Sequence, residues 1–481
     1  MNVARALAKN SALQIAGRLF GTVLGLVTFY LLLHFYGTEG FGMFTAGMTF
    51  VTMFAILVDF GLTLTTTQLI SENGADEAKL LGNLVTLRTI SAAVFMSLCP
   101  IIALFIPQGQ GVMGIILIGS VTYFISAIAQ MFQGVFQKRL AIGTVVLAET
   151  INRLISIAGI LLAGLAGAGL NGVMYAFLVG IVAQLLVMVL ATNQHVLFRP
   201  EIDLKVWRKI ISHSWPIGVS ILFNLLYLRG DIFFMWIFDL PAEIIGQYGS
   251  AYKIVDVMTT IPVTLMGLLL PLMTLAWSQH RPGQFRKHLQ TGFDTLSIIA
   301  VPFAFGSVAV GIPLMLAIKP NLLLAGQMLM ILGPAIAILC YGSLYGHAVV
   351  AVNKQRVMTF AYAFVAILAV TAYVLFIPRY GAWAAAWITL GSELLIALLA
   401  YLVVRRTSKM TPNFNMFGRA LLASLIMTAA IIIIPSPHVL LTIIGATVVY
   451  IATLAASGGP KPQAVLELFK SDRAPSGPMP S

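Results

Sequence analysis

Charged side chains inside long apolar runs are the residues of this sequence most able to do chemistry. Arg18 lies in the stretch LQIAGRLFGTVLG (13–25), inside an apolar run over residues 11–36. An arginine at the centre of a bilayer costs at least about 2.5–3.5 kcal/mol on insertion scales, so an arginine without a role is not expected there. A guanidinium binds phosphate oxygens in pairs and keeps its charge, which favours an anionic phosphate ligand.

Further polar and ionisable residues share this apolar setting. The candidate substrate-binding residues are Arg18, Arg229, Lys253, Gln14, Asn224 and Asp231. The candidates for ion coupling are Asp59, Glu149, Arg153, Asp256 and Glu393. We expect no catalytic residue, no metal site and no cofactor.

Arg18 belongs to a small and polar stripe along the first apolar run. Its other members recur at steps of three and four residues: Asn10, Gln14, Gly17, Gly21, Gly25 and Thr28. Residues at these steps share one face of a helix. One interpretation is that the stripe lines a cavity, where Arg18 meets a phosphate group. The glycines also form repeated G-x-x-x-G patterns, which favour close packing of another helix, and an arginine can extend to the inner membrane surface.

The paired charges allow two interpretations. Glu149 and Arg153 are four residues apart and Lys253 and Asp256 are three apart, so each pair can neutralise itself on a helix. The alternative for Glu149 is coupling to a proton or a cation.

The seventh apolar run raises a question of orientation. Arg229 and Asp231 are about 200° apart around a helix, so only one of them can face a cavity directly. Asp59 and Glu393 suit either coupling protons or a buried hydrogen bond between helices. Four aromatic residues suit stacking on sugars or anchoring at the membrane interface: Tyr248, Tyr252, Trp383 and Trp387.

Composition places these residues in a membrane protein. The chain has 481 residues, of which 59% are hydrophobic and 9% charged, and a mean hydropathy of +0.96. Apolar runs of about 20 residues are long enough to cross the hydrocarbon core as helices, and open sheets cannot face lipid. Fourteen such runs are predicted, near 11–36, 41–66, 86–106, 111–135, 142–166, 170–194, 212–238, 244–275, 293–317, 324–350, 357–378, 381–404, 417–434 and 438–456.

The basic residues predict an orientation. With a cytoplasmic N-terminus, twenty-two Lys and Arg residues, Arg88 among them, fall in inward segments, and only Lys319 and Arg379 fall in outward loops. This is the positive-inside asymmetry, and it accounts for the net charge of +12 without a nucleic-acid partner. Both termini are therefore expected in the cytoplasm.

An internal repeat favours a two-lobed architecture. The segment at Gly42 aligns with the segment at Gly246, 204 residues and six apolar runs later. Two parallel six-helix halves related by an axis along the membrane normal are typical of transporters. We expect an N-lobe over 1–197, a C-lobe over 198–406, two extra helices over 407–456 and a disordered cytoplasmic tail over 457–481.

Four stretches carry a resemblance to a known family: YGTEGFGMFTAGMTFVTMFAILVDFGLTLTTTQLIS (36–71), GQYGSAYKIVDVMTTIP (246–262), AVNKQRV (351–357) and RYGAWAAAWITLGSELLIALLAYLVVRR (379–406). They resemble the multidrug/oligosaccharidyl-lipid/polysaccharide (MOP) exporter superfamily, in its bacterial polysaccharide branch. The resemblance implies movement of polyprenyl-pyrophosphate-linked oligosaccharide across the inner membrane. It also implies a cationic cavity, for which Arg18 and Arg229 fit best, and it agrees with a monomer that works beside a glycan polymerase and a chain-length regulator.

Two other functions compete with this hypothesis. One is an ion-coupled exporter of drugs or cations from the same superfamily. The other is a membrane glycan polymerase or glycosyltransferase, which the short outer loops disfavour. The sequence GAGLNG (167–172) has the glycine spacing of a dinucleotide site but no preceding strand, and no nucleotide-binding P-loop is present.

Overall fold

The computed structural model describes residues 3–62, 76–139, 141–193, 199–434 and 438–459, together with Thr65 and Leu69. Within these ranges the chain is helical and contains no β-strand. The predicted tail over 457–481 lies outside the described residues from position 460 onward.

In the part of the chain that the structure describes, fourteen α-helices follow one another in the order of the predicted apolar runs, and we number them α1 to α14. The first two form the continuous stretch Val3–Asp59, divided at Gly37 into α1 (3–36) and α2 (38–59). The next eight are α3 (Glu77–Leu104), α4 (Met113–Lys138), α5 (Ile142–Leu165), α6 (Leu170–Asn193), α7 (Leu204–Ile237), α8 (Ala242–Ser278), α9 (Pro282–Ile318) and α10 (Leu323–Ala351). The stretch Gln355–Ser408 is divided at Gly381 into α11 (355–380) and α12 (382–408), and α13 (Asn415–Ile433) and α14 (Val439–Ala456) follow.

Glycine makes the two sharp bends possible. Gly37 has φ 71° and Gly381 has φ 55°, a region that residues with a Cβ rarely adopt. Gly37 lies in the predicted break between the runs 11–36 and 41–66, and Gly381 is the first residue of the predicted run 381–404. The prediction of fourteen helices in an all-α membrane protein is confirmed.

The helices have the length and composition of membrane spans. Among the described residues, eleven helices are long and apolar enough to cross a membrane, and two of these are the divided stretches that each hold two spans. Many large apolar side chains on them are exposed, as expected where lipid rather than water surrounds the protein. The chain is therefore a multi-pass membrane protein.

The chain forms two compact units. The first, which we call the cavity unit, comprises Ala6–Lys253 and Tyr362–Thr389. The second, the distal unit, comprises mainly Ile254–Ala361 and the chain from Leu390 onward. The predicted lobes over 1–197 and 198–406 follow the repeat instead, and they stay a prediction.

Helices α13 and α14 belong to the distal unit and pack on its α9. Ala423 and Met427 of α13 share a buried cluster with Tyr450 and Leu454 of α14. The Tyr450 hydroxyl donates a hydrogen bond of 2.7 Å to the carbonyl of Ile298 on α9. This bond satisfies a polar group that would otherwise lie unpaired in an apolar environment.

The two copies of the internal repeat touch each other within the cavity unit. A Cβ on Gly42 of α2 would lie 1.7 Å from the carbonyl oxygen of Ala242, and one on Gly246 of α8 would lie 2.0 Å from the carbonyl oxygen of Thr38. Only hydrogen fits at either position. The glycines that align in the sequence therefore form a close backbone crossing between α2 and α8.

Candidate functional site

A polar cavity of ≈ 490 Å³ lies among the helices of the cavity unit. Its polar lining residues come from five helices: Thr28 from α1, Ser126, Gln130 and Gln133 from α4, Glu149, Asn152, Arg153 and Ser156 from α5, Gln184 from α6, and Lys253 from α8. Aromatic residues complete the wall: Phe29, Phe41, Phe44 and Phe177. A volume of several hundred Å³ with a few placed polar groups is typical of a ligand site.

Helix α1 reaches this cavity through its small and polar stripe. A Cβ on Gly17 would lie 2.6 Å from the Val146 side chain, and one on Gly21 would lie 3.2 Å from the Arg153 guanidinium, so the glycines face α5. Further along, Gly25 and Thr28 line the cavity. The same stripe therefore packs against a neighbouring helix and forms part of the cavity wall.

Arg153 is held by α1 rather than by its neighbour on α5. Its Nη1 donates a hydrogen bond of 2.8 Å to the Gly21 carbonyl, which the absence of a side chain on Gly21 leaves accessible. Arg153 and Glu149 form no ion pair within 4 Å, and their expected mutual neutralisation stays a prediction. Both side chains line the cavity, where they supply one positive and one negative charge.

Arg18 lies about 10 Å along α1 from Gly25, where the cavity wall begins. Its side chain is exposed and makes no hydrogen bond or ion pair with the described residues. Its charge nevertheless acts on Glu149, together with that of Arg153. Gln14 is half-buried one turn before it. Binding of substrate by Arg18 and Gln14 stays a prediction.

The amides of the cavity are ordered by hydrogen bonds among themselves. The Asn152 amide donates a hydrogen bond of 2.7 Å to the Gln184 side-chain oxygen. The Ser156 hydroxyl donates a hydrogen bond of 3.2 Å to the Asn152 side-chain oxygen. The Gln130 amide donates a hydrogen bond of 3.2 Å to the Ser126 hydroxyl. Gln184 accepts one bond and Asn152 donates one, so both amides keep N–H groups that can bind hydroxyl groups of a ligand.

Lys253 is the second cation of the cavity. It is half-buried at the end of the cavity unit on α8, and its partner predicted from the spacing, Asp256, belongs to the distal unit. Arg153 and Lys253 together exceed the single carboxylate of Glu149, so the lining carries a net positive charge.

Asp231 does not line this cavity. It is fully buried and accepts hydrogen bonds from the hydroxyls of Tyr248 (2.7 Å), Tyr252 (2.5 Å) and Thr389 (3.3 Å), and from the backbone N–H of Ile232. Its acceptor sites are therefore occupied by the cavity unit's own residues. The expectation that Asp231 is available to substrate is wrong for this conformation, because these hydroxyls satisfy the carboxylate first.

Arg229 lies beside the same cluster. Its guanidinium carbon is 4.9 Å from the centre of the Tyr252 ring, a cation–π geometry. Tyr248 and Tyr252 are thus buried partners of charged groups and neither sugar platforms nor interface anchors. The side chain of Asn224 lies outside the described residues.

Asp59 forms an ion pair inside the bundle. The Nη1 of Arg88 on α3 lies 2.5 Å from the Asp59 carboxylate. The Nη2 of the same side chain donates a hydrogen bond of 3.2 Å to the Gln130 amide oxygen. Of the two interpretations of Asp59, the structure shows the bond between helices. Arg88 is only 1% exposed, so it lies inside the bundle and not in a loop between helices, and its place on the cytoplasmic side stays a prediction.

Glu393 is buried at 2% exposure in α12 of the distal unit. By contrast, Trp383 and Trp387 of the cavity unit are exposed and line a groove of ≈ 360 Å³ with Phe376 and Tyr380.

Within the described ranges, no three His, Cys, Asp or Glu side chains are placed to hold a metal ion.

The amide cluster was missed in the sequence, although a signal for it is present. Ser126, Gln130 and Gln133 are spaced by four and three residues, and Asn152 and Ser156 by four, inside otherwise apolar helices. Such stripes mark one polar face of a membrane helix. Charge alone drew attention to the ionisable residues and away from these neutral ones.

A profile of the family described as "Polysaccharide biosynthesis protein" matches residues 7–277, more than half of the chain. The chain belongs to this family. The predicted placement in the MOP exporter superfamily, in its polysaccharide branch, is confirmed. No curated protein sequence matches the chain.

Solved structures share the fold of this polysaccharide biosynthesis protein. A lipid II flippase MurJ in an inward closed conformation is 16% identical with a TM-score of 0.74, over 91% of this chain and 97% of that chain. An inward-facing multidrug resistance MATE transporter of the MOP superfamily is 14% identical with a TM-score of 0.65, over 81% and 94%. A MOP-superfamily transporter from Pyrococcus furiosus is 14% identical with a TM-score of 0.59, over 84% and 96%.

Proposed function

We propose that this protein is a flippase that moves polyprenyl-pyrophosphate-linked oligosaccharide across the bacterial inner membrane for O-antigen or exopolysaccharide synthesis. The observation that carries the proposal is the net-positive, amide-rich cavity inside a unit whose helices are otherwise apolar. Membership of a polysaccharide biosynthesis family supports the substrate class.

The cavity offers groups for both parts of such a substrate. Arg153 and Lys253 compensate the charge of a pyrophosphate, which cannot cross hydrocarbon unpaired. Gln133, Gln184 and Asn152 offer amide donors and acceptors to sugar hydroxyls. Arg18 lies nearer the N-terminal end of α1, which the charge distribution assigns to the cytoplasmic side, and it serves as a first contact for the headgroup.

Transport follows by alternating access. The substrate enters from the cytoplasmic leaflet with its lipid tail left in the bilayer, its charge stays compensated in the cavity, and outward opening releases it. The chain acts as a transporter and not as an enzyme, with its glycan supplied and consumed by partner proteins such as a polymerase and a chain-length regulator. Both termini are cytoplasmic in this proposal.

The net charge of the cavity discriminates against the second candidate, export of cationic drugs. A cationic ligand would meet Arg153 and Lys253 against one carboxylate, Glu149, and like charges in a low-dielectric site repel strongly. An anionic headgroup meets the opposite balance.

The test is complementation of a strain that lacks the gene. Wild-type protein should restore surface polysaccharide, whereas Arg153→Gln, Lys253→Gln and Arg18→Ala should each reduce transport by about tenfold or more, because a hydrogen bond to a charged group contributes about 1.5–3 kcal/mol. Arg356→Ala is the matched control, since Arg356 is an exposed arginine that does not line the cavity.

Two readouts separate the candidates. A flippase defect causes the lipid-linked unit to accumulate on the cytoplasmic side, whereas loss of an exporter causes cationic dyes to accumulate in the cell. Normal surface polysaccharide in the deletion strain, or in all three cavity variants at normal protein level, would contradict the proposal.

A further inference from the structure

The distal unit contains a buried acid with an unsatisfied carboxyl oxygen. Glu393 of α12 is 2% exposed, and its Oε1 is a buried side-chain atom with no hydrogen-bond partner. The side chain forms no ion pair with any described residue. An ionised carboxylate cannot stay in such a place, because burial without compensation is far costlier than protonation.

The surroundings of Glu393 contain no compensating charge. The titratable group that faces it from α10 is the Cys340 thiol, which is itself buried. No described Lys, Arg or His side chain lies within 4 Å of the Glu393 carboxylate. Asp59 and Asp231, by contrast, are satisfied by Arg88 and by three hydroxyls.

The α10–α12 interface beside Glu393 is closely packed and contains a second unsatisfied polar group. Gly342 of α10 lies against Ala397 of α12, one turn beyond Glu393, where a Cβ on the glycine would lie 3.5 Å from the alanine Cβ. Small residues of this kind let two helix backbones approach closely. Tyr345 of α10 stacks edge-on against Tyr401 of α12, and its buried hydroxyl also has no partner.

Two unsatisfied polar groups in one helix interface define two states. With the interface closed, the carboxyl must hold a proton and the Tyr345 hydroxyl stays unpaired. With water admitted between α10 and α12, both groups become hydrated and the carboxyl can release its proton. Protonation therefore favours the closed interface, and release favours the opened one.

We propose that Glu393 is a proton-binding site of the distal unit, and that proton release and uptake there drive the α10–α12 interface between open and closed states during transport. The step is COOH to COO⁻ with the proton passing to water, and it involves no redox change. The link to transport rests on the proposed function, whereas proton binding does not.

Infrared spectroscopy of the full-length protein in liposomes tests proton binding directly. The wild type should show the C=O stretching band of a protonated carboxylic acid that disappears as pH rises. Glu393→Gln, which keeps the shape and a neutral group, should lack this band, whereas Glu243→Gln, which removes an exposed carboxyl of α8, should retain it. An unchanged band in Glu393→Gln would overturn the proposal.

Complementation at several external pH values tests the coupling. Glu393→Gln should fold and reach the membrane, but its transport that depends on the pH gradient should be at least tenfold slower than that of the wild type. Glu393→Asp should retain part of this transport. Full, pH-dependent transport by Glu393→Gln would overturn the coupling. A deletion strain with normal surface polysaccharide would refute the proposed function and leave the infrared result standing.

Discussion

At the scale of single residues, burial in the membrane interior favours pairing of charged side chains. Arg88 shows this clearly, because its side chain is 2% exposed and is bonded to Asp59 and Gln130. The Asp59 side chain is 25% exposed, so water can reach its carboxylate but not the guanidinium of Arg88.

This asymmetry predicts unequal effects of removing each partner. Asp59→Asn leaves a fully buried guanidinium uncompensated and should lower the free energy of unfolding by about 3–5 kcal/mol, the range for breaking a buried pair. Arg88→Met should cost less, because Asp59 can turn to water. Thermal unfolding in detergent measures both variants.

The double variant Arg88→Met with Asp59→Asn is the control for this prediction. It removes both charges, so it should recover a large part of the stability lost in Asp59→Asn. Equal loss in both single variants, with no recovery in the double variant, would show that the pair is not the cause.

At the scale of elements, glycine sets where helices can touch. At Gly42 and Gly246 the backbone of one helix occupies the space that a Cβ would need, whereas a Cβ on Gly267, also in α8, would meet no atom within 4 Å. Alanine therefore fits at Gly267 without a clash, whereas it does not fit at Gly42 or Gly246.

Gly246→Ala should be severely destabilising, beyond the about 1–3 kcal/mol typical of overpacking, because the α2 backbone must move rather than a flexible side chain. Gly267→Ala should be neutral or stabilising by about 0.5–1 kcal/mol, since alanine is the better helix former. Expression level and melting temperature in detergent distinguish the two. Comparable stability of the two variants would contradict the crossing.

The loop before α7 adds a contact that depends on pH. The Asp203 carboxylate lies 2.9 Å from the Lys79 ammonium and caps α7 by accepting from the backbone N–H of Lys205. The hydrogen bond from Lys79, followed by the one from the backbone of Lys205, lowers the pKa of Asp203. Because the pKa is lower in the folded state, the stabilisation is present above the unfolded pKa of about 3.9 and is lost as pH falls through the folded pKa.

Asp203→Asn should therefore melt below the wild type at neutral pH, and the difference should shrink as pH falls below about 4. Melting curves of both proteins in detergent across this range measure it. A difference that stays constant with pH would show that the carboxylate charge does not contribute.

At the scale of the whole molecule, the distribution of positive charge predicts which side each loop faces. Lys354 in the loop before α11 and Arg379 at the turn between α11 and α12 are both exposed and lie at opposite ends of α11. The positive-inside rule places Lys354 in the cytoplasm and Arg379 outside.

In intact cells, Arg379→Cys should react with a membrane-impermeant maleimide, whereas Lys354→Cys should react only after the membrane is opened. The two native cysteines, Cys99 and Cys340, are buried, which keeps the background low. The reverse pattern of labelling would invert the orientation and place Arg18 near the outer face.

The number and order of the helices could be predicted from the sequence because membrane insertion depends on hydropathy summed over about 20 adjacent residues. Several helix ends could not: α3 begins at Glu77 and α9 at Pro282, whereas the predicted apolar runs begin at 86 and 293. The bends at Gly37 and Gly381 and the superfamily were accessible for the same reason, since their signals are local. Arg18, Arg153 and Lys253 stood out because a charge in an apolar run is conspicuous in any fold.

Only the tertiary structure decided which groups meet. Arg153 and Gly21 are 132 residues apart, and Thr389 bonds to Asp231 across 158 residues, so no local pattern pairs them. The spacing of Glu149 and Arg153 did not indicate that Arg153 bonds to the neighbouring helix. Helix rotation and packing fix these contacts, and they arise from the close fit of small residues between helices, which hydropathy does not record.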